Sequence, residues 1–248
     1  MSSPLRLLIN GASGRMGLAV ARLAALQPQR FRIVAVVSRT SSVDRPSALE
    51  ADAASLAPGR LHDAPAFDAA IDFSLPPAFD AVLELCRARA AALVSGTTGL
   101  HATQRGAMQA AAASTALLWS PNFSIGVAVL QRIVAQAAVA LPDWDCDIVE
   151  SHHTHKKDAP SGTALALGAA AAAGGADPRY ASLRAGDIVG EHLVQFTGLG
   201  ERVELIHRAT DRDVFARGAL HTARWLSGRA PGLYSMQDLL AEPVVNAP

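Results

Sequence analysis

The segment from Glu150 to Thr163, ESHHTHKKDAPSGT, concentrates side chains that can exchange protons and bind anions. Three histidines and two lysines precede a Pro-Ser-Gly-Thr sequence. Histidine has an unperturbed pKa of about 6.5, so it can donate or accept a proton near neutral pH. Ser161 or Thr163 can cap a following helix, whose free N–H groups attract an anion. The segment therefore predicts a pocket for a small, negatively charged substrate.

A metal site is one alternative for this segment, because His153 and His155 are spaced like some metal ligands. Lys156 and Lys157 follow immediately, and their charges repel a cation. Two unit charges about 4 Å apart repel by roughly 4 kcal/mol at an effective dielectric near 20, and a divalent ion doubles that. We therefore expect no metal. A solvated polar loop without chemistry is the other alternative.

A glycine-rich turn near the N-terminus could hold a phosphate group. The sequence GASGRMG, residues 11–17, follows an apolar run at 5–9 and precedes a helical repeat over 16–26, with a second apolar run at 31–37. This is the order of elements in a nucleotide-binding crossover. A tight turn without a ligand is the alternative. The predicted cofactor contacts in the turn are Gly11, Ala12, Ser13, Gly14, Arg15 and Met16.

The end of the second predicted strand bears on the choice of cofactor. An NAD-selective fold usually has Asp or Glu there, whereas this chain has Ser38 and Arg39. Serine does not repel a 2′-phosphate, and the planar guanidinium of arginine can pair with one. We therefore expect both residues to contact the cofactor, and NADPH to be used at least as well as NADH.

Two more predicted strands, 92–95 and 116–119, end in sequences suited to close contact with a ligand: GTTG and SPNF. Ligands of parallel sheets bind at the carboxyl ends of strands. Ordinary turns would look similar in sequence. The predicted cofactor contacts here are Gly96, Thr97, Thr98, Ser120, Pro121, Asn122 and Phe123.

The elements that must position these residues divide into two groups. Up to residue 122, strands at 5–9, 31–37, 69–73, 92–95 and 116–119 alternate with helices at 16–26, 78–90 and 101–113. This alternation predicts an α/β fold, a Rossmann-like doubly wound parallel sheet. Thereafter we predict a helix at 125–141, a strand at 147–151, a helix at 163–173, a loop at 174–185 and antiparallel strands at 188–196 and 202–207. These form a second, α+β domain.

The predicted domain boundaries follow from these elements. Residues 1–122 form the dinucleotide-binding domain, together with 214–248, because we expect a final helix at about 214–226 to pack back on it. Residues 123–213 form the domain for substrate binding and oligomerisation. We expect hinges around 122–124 and 212–215.

Composition excludes several other classes of protein. The 248-residue chain has 22 basic and 22 acidic residues, so its net charge does not favour nucleic acid or an anionic membrane. Cys86 and Cys146 are too few and scattered for a disulfide framework. The N-terminus does not resemble a signal peptide, and the apolar run at 165–173 is shorter than the roughly 20 residues that span a bilayer. We expect a cytoplasmic protein.

The joint order of five motifs closely resembles the 4-hydroxy-tetrahydrodipicolinate reductase family, also called dihydrodipicolinate reductases. The motifs are GASGRMG at 11–17, GTTG at 96–99, PNFS at 121–124, ESHHTHKKDAPSGTA at 150–164 and RAGDIVGEH at 184–192. The resemblance implies that NADPH or NADH reduces a cyclic dicarboxylate imine in lysine and diaminopimelate biosynthesis. It also implies a homotetramer assembled through sheets of the substrate domain.

The resemblance also assigns individual roles. It implies that His152 donates the proton, that Lys156 binds substrate and stabilises charge, and that the remaining substrate contacts are His153, Ser161, Gly162 and Thr163. The family's acidic residue at position 38 is absent, and the 174–185 region is short. Arg212 aligns with an arginine near the cofactor. Alternatives are a related NADP(H)-dependent reductase of another small carboxylate and a non-catalytic NADP(H)-sensing regulator.

Overall fold

The computed structural model describes residues 3–39 and 53–241. The chain divides into two compact units, Met1–Phe123 with Phe215–Pro248, and Ser124–Val214. Among the described residues, no helix is long and apolar enough to cross a membrane.

The first unit is built on a parallel sheet. In the described part of the chain its strands are β1 Leu5–Asn10, β2 Phe31–Val37, β3 Ala54–Leu56, β4 Ala69–Asp72, β5 Ala92–Ser95, β6 Ala116–Trp119 and β11 Gly232–Tyr234. Every neighbouring pair is parallel, and the order is β11-β6-β5-β4-β1-β2-β3. The order from β3 to β6 is that of a doubly wound dinucleotide fold. The Rossmann-like prediction is confirmed.

Helices complete the first unit. They are α1 Arg15–Ala25, α2 Pro76–Arg89, α3 Ala102–Ala111, most of α6 Asp213–Leu226, α7 Met236–Ala241 and a short 3-10 helix, Pro58–Asp63. Apolar side chains of the central strands, such as Leu8 and Ile71, are completely buried, as sheets covered on both faces require. Helix α6, expected from the sequence at about 214–226, belongs mainly to the first unit.

The second unit has a four-stranded mixed sheet with two helices. Its elements are α4 Ile125–Ala140, β7 Asp145–His152, α5 Gly162–Ala173, β8 Pro178–Arg184, β9 Gly190–Gly198 and β10 Glu201–Ala209. The strand order is β10-β9-β7-β8, with β7 and β8 parallel and the other pairs antiparallel. Apolar residues of both helices and the strands form one core, which includes Val134, Ile148, Leu167 and Phe196.

The prediction of a loop over 174–185 was wrong, because Pro178–Arg184 forms the edge strand β8. Its sequence, PRYASLR, lacks a clear apolar alternation, since most of its residues are exposed. Tyr180 of β8 packs against Gly168 of α5, where a Cβ would lie 1.8 Å from the tyrosine hydroxyl. This contact determines which face of β8 is turned toward the helix. Tertiary pairing therefore forms a strand that local pattern did not predict. The strand predicted at 147–151 is also longer in the structure, where β7 spans Asp145–His152.

Candidate functional site

The glycine turn in the first unit packs tightly against neighbouring backbone and leaves the start of α1 exposed. Gly11 has a φ of +83°, and a Cβ there would lie 2.5 Å from the carbonyl oxygen of Phe73. A Cβ at Gly17 would lie 2.3 Å from the carbonyl oxygen of Gly11. The N-cap of α1 is Gly14, which has no side chain to bond the first amides, and it is exposed with Ser13 and Arg15. The turn therefore fits the pyrophosphate of a dinucleotide at a helix start.

The turn after β5 lies close to the turns after β4 and β6. A Cβ at Gly96 would lie 2.2 Å from Cε1 of Phe73 and 3.2 Å from Cε2 of Phe123. The rings of Phe73 and Phe123 pack edge to face, with 5.7 Å between their centroids. Phe73 thus contacts three of the loops at the carboxyl edge of the sheet.

A buried carboxylate, that of Asp72, connects the same strand ends. Its Oδ1 accepts hydrogen bonds from Asn10 Nδ2 (2.9 Å) and the Ser74 amide (3.1 Å). Its Oδ2 accepts from Ser95 Oγ and Thr97 Oγ1, both at 2.8 Å. The hydroxyl of Thr97 therefore organises the loop, whereas Thr98 is exposed. Sequence reasoning missed Asp72, although a lone acid ending the apolar strand AAID is a usable signal.

The remaining predicted cofactor residues follow β2 and β6. The Ser38 amide donates to the carbonyl of Leu56 at 3.1 Å, and Arg39 is exposed. Ser120 Oγ donates to the carbonyl of Asn122 at 2.6 Å, so this hydroxyl shapes its own turn. The structure therefore places all the predicted cofactor residues at or beside the carboxyl ends of four parallel strands: β1, β2, β5 and β6.

In the second unit, the last residues of β7 place His152 beside a buried acid. Glu150 and His152 point to the same face of the sheet because they are two residues apart on one strand. The Nδ1–H of His152 donates to Oε2 of Glu150, since a carboxylate can only accept. Arg184 Nη2 bonds the other carboxylate oxygen at 2.7 Å. A Cβ at Gly190 would lie 3.1 Å from Nε2 of His152, so glycine leaves space beside that nitrogen.

Arg184 also holds the loop that follows β7. Its Nη2 donates to the carbonyl of Asp158 at 2.7 Å, and its Nε donates to the carbonyl of Lys156 at 3.3 Å. The ammonium of Lys156 contacts both carboxylate oxygens of Asp158 at 2.8 Å. His153 and Lys156 are half-buried, whereas His155 and Lys157 are exposed. The loop therefore presents Lys156 on a braced backbone.

The start of α5 completes this constellation. Ser161 is the N-cap, and its Oγ accepts from the amide of Ala164 at 3.1 Å. The same Oγ lies 3.2 Å from Nε2 of His192, whose ring packs edge to face on His152 at 5.2 Å between centroids. The hydroxyl of Ser161 is buried and engaged, while Gly162 is exposed and Thr163 is half-buried in the first turn.

The buried groups of this site have shifted pKa values. Burial raises the pKa of Glu150, but hydrogen bonds from Arg184, Ser182 and His152 outweigh it and hold the pKa at about 2. Burial lowers the pKa of His152, and Glu150 opposes that change. Burial lowers the pKa of His192 to about 4. At neutral pH the site therefore contains an ionised Glu150 and a neutral His192.

Sequence reasoning brought His152, His153, Lys156 and the start of α5 together, but it missed the roles of three partners: Glu150, Arg184 and His192. The two-residue spacing of Glu150 and His152 in a strand was a signal for the first. Within residues 3–39 and 53–241, no cluster of three or more His, Cys, Asp or Glu residues could hold a metal ion.

Comparisons with known proteins agree on one family. Residues 5–123 match the family described as dihydrodipicolinate reductase, N-terminus, and residues 126–240 match dihydrodipicolinate reductase, C-terminus. A protein of Stenotrophomonas maltophilia (strain R551-3) named 4-hydroxy-tetrahydrodipicolinate reductase is 66% identical over 96% of this chain and 98% of its own. A protein of the same name from Xanthomonas axonopodis pv. citri (strain 306) is 60% identical over 96% and 99%.

Solved structures share the fold. The dipicolinate-bound dihydrodipicolinate reductase of Paenisporosarcina sp. TG-14 superposes with a TM-score of 0.77 at 21% identity, over 94% of this chain and 97% of that one. The DAP dehydrogenase of C. glutamicum in complex with DAP superposes with a TM-score of 0.62 at 15% identity, over 98% and 97%.

Proposed function

The chain belongs to the dihydrodipicolinate reductase family, and we propose that it reduces 4-hydroxy-tetrahydrodipicolinate to tetrahydrodipicolinate in lysine and diaminopimelate biosynthesis. High identity to reductases of that name, over nearly the whole chain, supports the reaction. In this chain, the observation that supports the reaction is the hydrogen bond between His152 and a buried carboxylate. Both residues lie on the unit that also holds Lys156 and the start of α5.

The overall reaction consumes one hydride and one proton and releases the substrate hydroxyl as water. NADPH or NADH supplies the hydride when bound. His152 supplies the proton from Nε2, because Nδ1 is engaged by Glu150 and Gly190 leaves space beside Nε2. General acid catalysis of this kind contributes about 10² to 10⁴ in rate.

The substrate is a small dicarboxylate, so cationic and amide donors on the second unit are suited to bind it. Lys156 binds one carboxylate and exchanges its pairing with Asp158 for the substrate. The amides of Gly162 and Thr163, in the first turn of α5, bind a carboxylate with help from the helix dipole. His153 adds a contact. Ser161 acts by holding the helix start in place, because its hydroxyl is already engaged.

The cofactor is held by the first unit. The amides of the glycine turn hold the pyrophosphate, and the loops after β5 and β6 hold the nicotinamide half. Arg39, exposed after β2, pairs with a 2′-phosphate, and Ser38 does not repel it. NADPH is therefore used at least as well as NADH.

We further propose a homotetramer assembled through the sheet of the second unit. Strand registers align Ala181, Val149, Leu193 and Ile206 in one row across the four strands. Ile148 and Glu150 are completely buried toward the helices, so Val149 and its row face the other way. Such an apolar row on the outer face is suited to an interface. Sedimentation of the wild type and Leu193→Asp tests this proposed interface. A variant that is still a tetramer would show that the row does not form the interface.

We place the enzyme in the cytoplasm, and its two buried, free cysteines, Cys86 and Cys146, agree with a reducing compartment.

The test of the proposed reaction is oxidation of NADPH, followed at 340 nm, with freshly generated 4-hydroxy-tetrahydrodipicolinate. We expect turnover that depends on both enzyme and substrate. NADPH binding without turnover would instead indicate a sensor, and turnover only with another small carboxylate would indicate a different reductase.

A further inference from the structure

Glu150 is a charged side chain with no solvent exposure, and each of its two carboxylate oxygens has a defined partner. Oε2 accepts from Nδ1 of His152, and Oε1 accepts from Nη2 of Arg184 at 2.7 Å. Arg184 is the direct register partner of His152 on β8, so the three side chains lie on adjacent positions of two paired strands. This arrangement fixes the carboxylate from both sides.

Charge balance for Arg184 does not by itself explain Glu150. The guanidinium also donates to the carbonyl oxygens of Lys156, Asp158 and Leu183. These bonds satisfy much of its donor capacity without a carboxylate. A carboxylate that only balanced Arg184 would have no reason to direct its second oxygen at an imidazole. The geometry therefore links Glu150 to His152 as much as to Arg184.

We propose that Glu150 is a positioning residue for the proton donor: its Oε2 accepts from Nδ1–H of His152 and so keeps the exchangeable proton on Nε2. This inference rests on the proposed function, in which His152 protonates the reacting substrate. Arg184 holds Glu150 in register and, through the carbonyls of Lys156 and Asp158, holds the loop that carries the substrate lysine.

The surroundings of His152 give Glu150 a second effect. The charged and titratable groups around the ring are Glu150 on β7, Arg184 on β8, His192 on β9 and Lys156 on the following loop. Burial disfavours a protonated imidazole most strongly, and Lys156 and Arg184 act in the same direction. Glu150 opposes them through its hydrogen bond and its charge. Without that charge, His152 would lose its proton at a lower pH.

The activity test compares pH profiles of kcat/KM for the wild type and Glu150→Gln. His152 acts when protonated, so activity falls as pH rises through its pKa. In Glu150→Gln we expect this fall in kcat/KM to occur at a pH about one unit lower, or more. At neutral pH the variant should therefore lose about tenfold in kcat/KM, and the difference from the wild type should shrink as the pH is lowered. Glu150→Asp keeps the charge, so its kcat/KM should fall at the same pH as that of the wild type, although kcat itself should be lower. A fall at the same pH in wild type and Glu150→Gln overturns the proposal.

The matched control is Asp147→Asn, which removes a carboxylate from the same strand. Asp147 bonds Arg179 at 2.8 Å and lies on the opposite face of the sheet from Glu150. Its pH profile should match that of the wild type. A shift of this fall in Asp147→Asn equal to that in Glu150→Gln would also overturn the proposal, because a general loss of charge would then explain both.

A measurement on the wild type does not depend on the folding of any variant. In ¹⁵N-labelled protein above the pKa of His152, we expect the Nδ1-protonated tautomer of this ring. The Nε2-protonated tautomer overturns the inference. This outcome is separate from the proposed function, because a chain with no turnover at all could still show either tautomer.

Discussion

Nε2 of His192 lies 3.2 Å from the hydroxyl of Ser161, the residue that caps α5. His207 is the direct cross-strand neighbour of His192, and its Nε2 lies 3.3 Å from the hydroxyl of Ser124, which caps α4. Two adjacent histidines on β9 and β10 therefore contact the serine caps of two helices. Since burial lowers the pKa of both rings, they are neutral at pH 7.

This relationship predicts loss of stability in mild acid. The pKa of His192 is about 4 in the folded chain and about 6.5 when unfolded, so between these values the unfolded chain binds more protons. The free energy of unfolding should fall as pH is lowered through this window. His192 should account for about 2 kcal/mol between pH 7 and pH 5. His152 and His207 add to the loss in the same direction.

Urea unfolding of the wild type and His192→Gln at both pH values, at one protein concentration, measures this effect. The variant should lose about 2 kcal/mol less than the wild type on acidification. Equal losses in the two proteins would show that His192 does not titrate in this window.

Two neighbouring lysines offer a matched pair for the substrate site. Lys156 is half-buried on the loop braced by Arg184, whereas Lys157 is exposed. Lys156→Ala should lower kcat/KM for the dicarboxylate by roughly 10 to 100-fold, because a charge-assisted hydrogen bond contributes about 1.5 to 3 kcal/mol. Lys157→Ala should keep the wild-type value, and NADPH affinity should be unchanged in both. Equal losses in the two variants would refute the assignment of Lys156.

The position of Arg39 predicts that NADPH is used at least as well as NADH, and Arg39→Ala should change this cofactor preference. Arg39→Ala should weaken NADPH about tenfold, the effect of losing roughly 1.4 kcal/mol, and leave NADH nearly unchanged. Arg32→Ala, on the exposed side of β2, is the control. The measurement is kcat/KM for each cofactor. An unchanged NADPH/NADH ratio in Arg39→Ala would remove this residue from cofactor selection.

Asp72 should matter for both folding and cofactor binding. Asp72→Ala leaves the buried donors of Asn10, Ser95 and Thr97 without their acceptor and should cost roughly 3 kcal/mol of stability. It should also raise the Kd for NADPH, because the loops after β1 and β5 lose their common anchor. Asp68→Ala breaks an exposed ion pair with Arg6 and a hydrogen bond from the Arg6 amide, and it should cost less, about 1 kcal/mol. A destabilised Asp72→Ala with the wild-type Kd would limit Asp72 to folding.

The main elements of the fold could be predicted because apolar periodicity and glycine turns are local signals. Strands β2, β5 and β6 have the predicted bounds, and the other helices and strands of the prediction differ by a few residues. The edge strand β8 could not be predicted, because only its pairing with β7 and contact with α5 make it a strand. The short elements β3, β11 and α7 have too few residues for a period to appear.

The candidate site could be proposed from the sequence to the extent that its residues are contiguous. His152, Lys156 and the cap of α5 lie within one segment, whereas Arg184 and His192 reach it only through the pairing of β7 with β8 and β9. Asp72 shows the same limit in the first unit, since it ends β4 whereas its partners Asn10, Ser95 and Thr97 belong to β1, to β5 and to the loop after β5. Sequence patterns identified groups that can do chemistry, and the sheets determine which of them are neighbours.

The most direct test of the account is the steady-state kcat of the wild type and His152→Gln with NADPH and freshly generated 4-hydroxy-tetrahydrodipicolinate. Removing His152, the proposed proton donor, should lower kcat by about 10² or more, since general acid catalysis contributes that much. The Kd for NADPH, measured by fluorescence, should stay the same, because His152 belongs to the second unit. A variant that turns over this substrate at the wild-type rate would contradict the account.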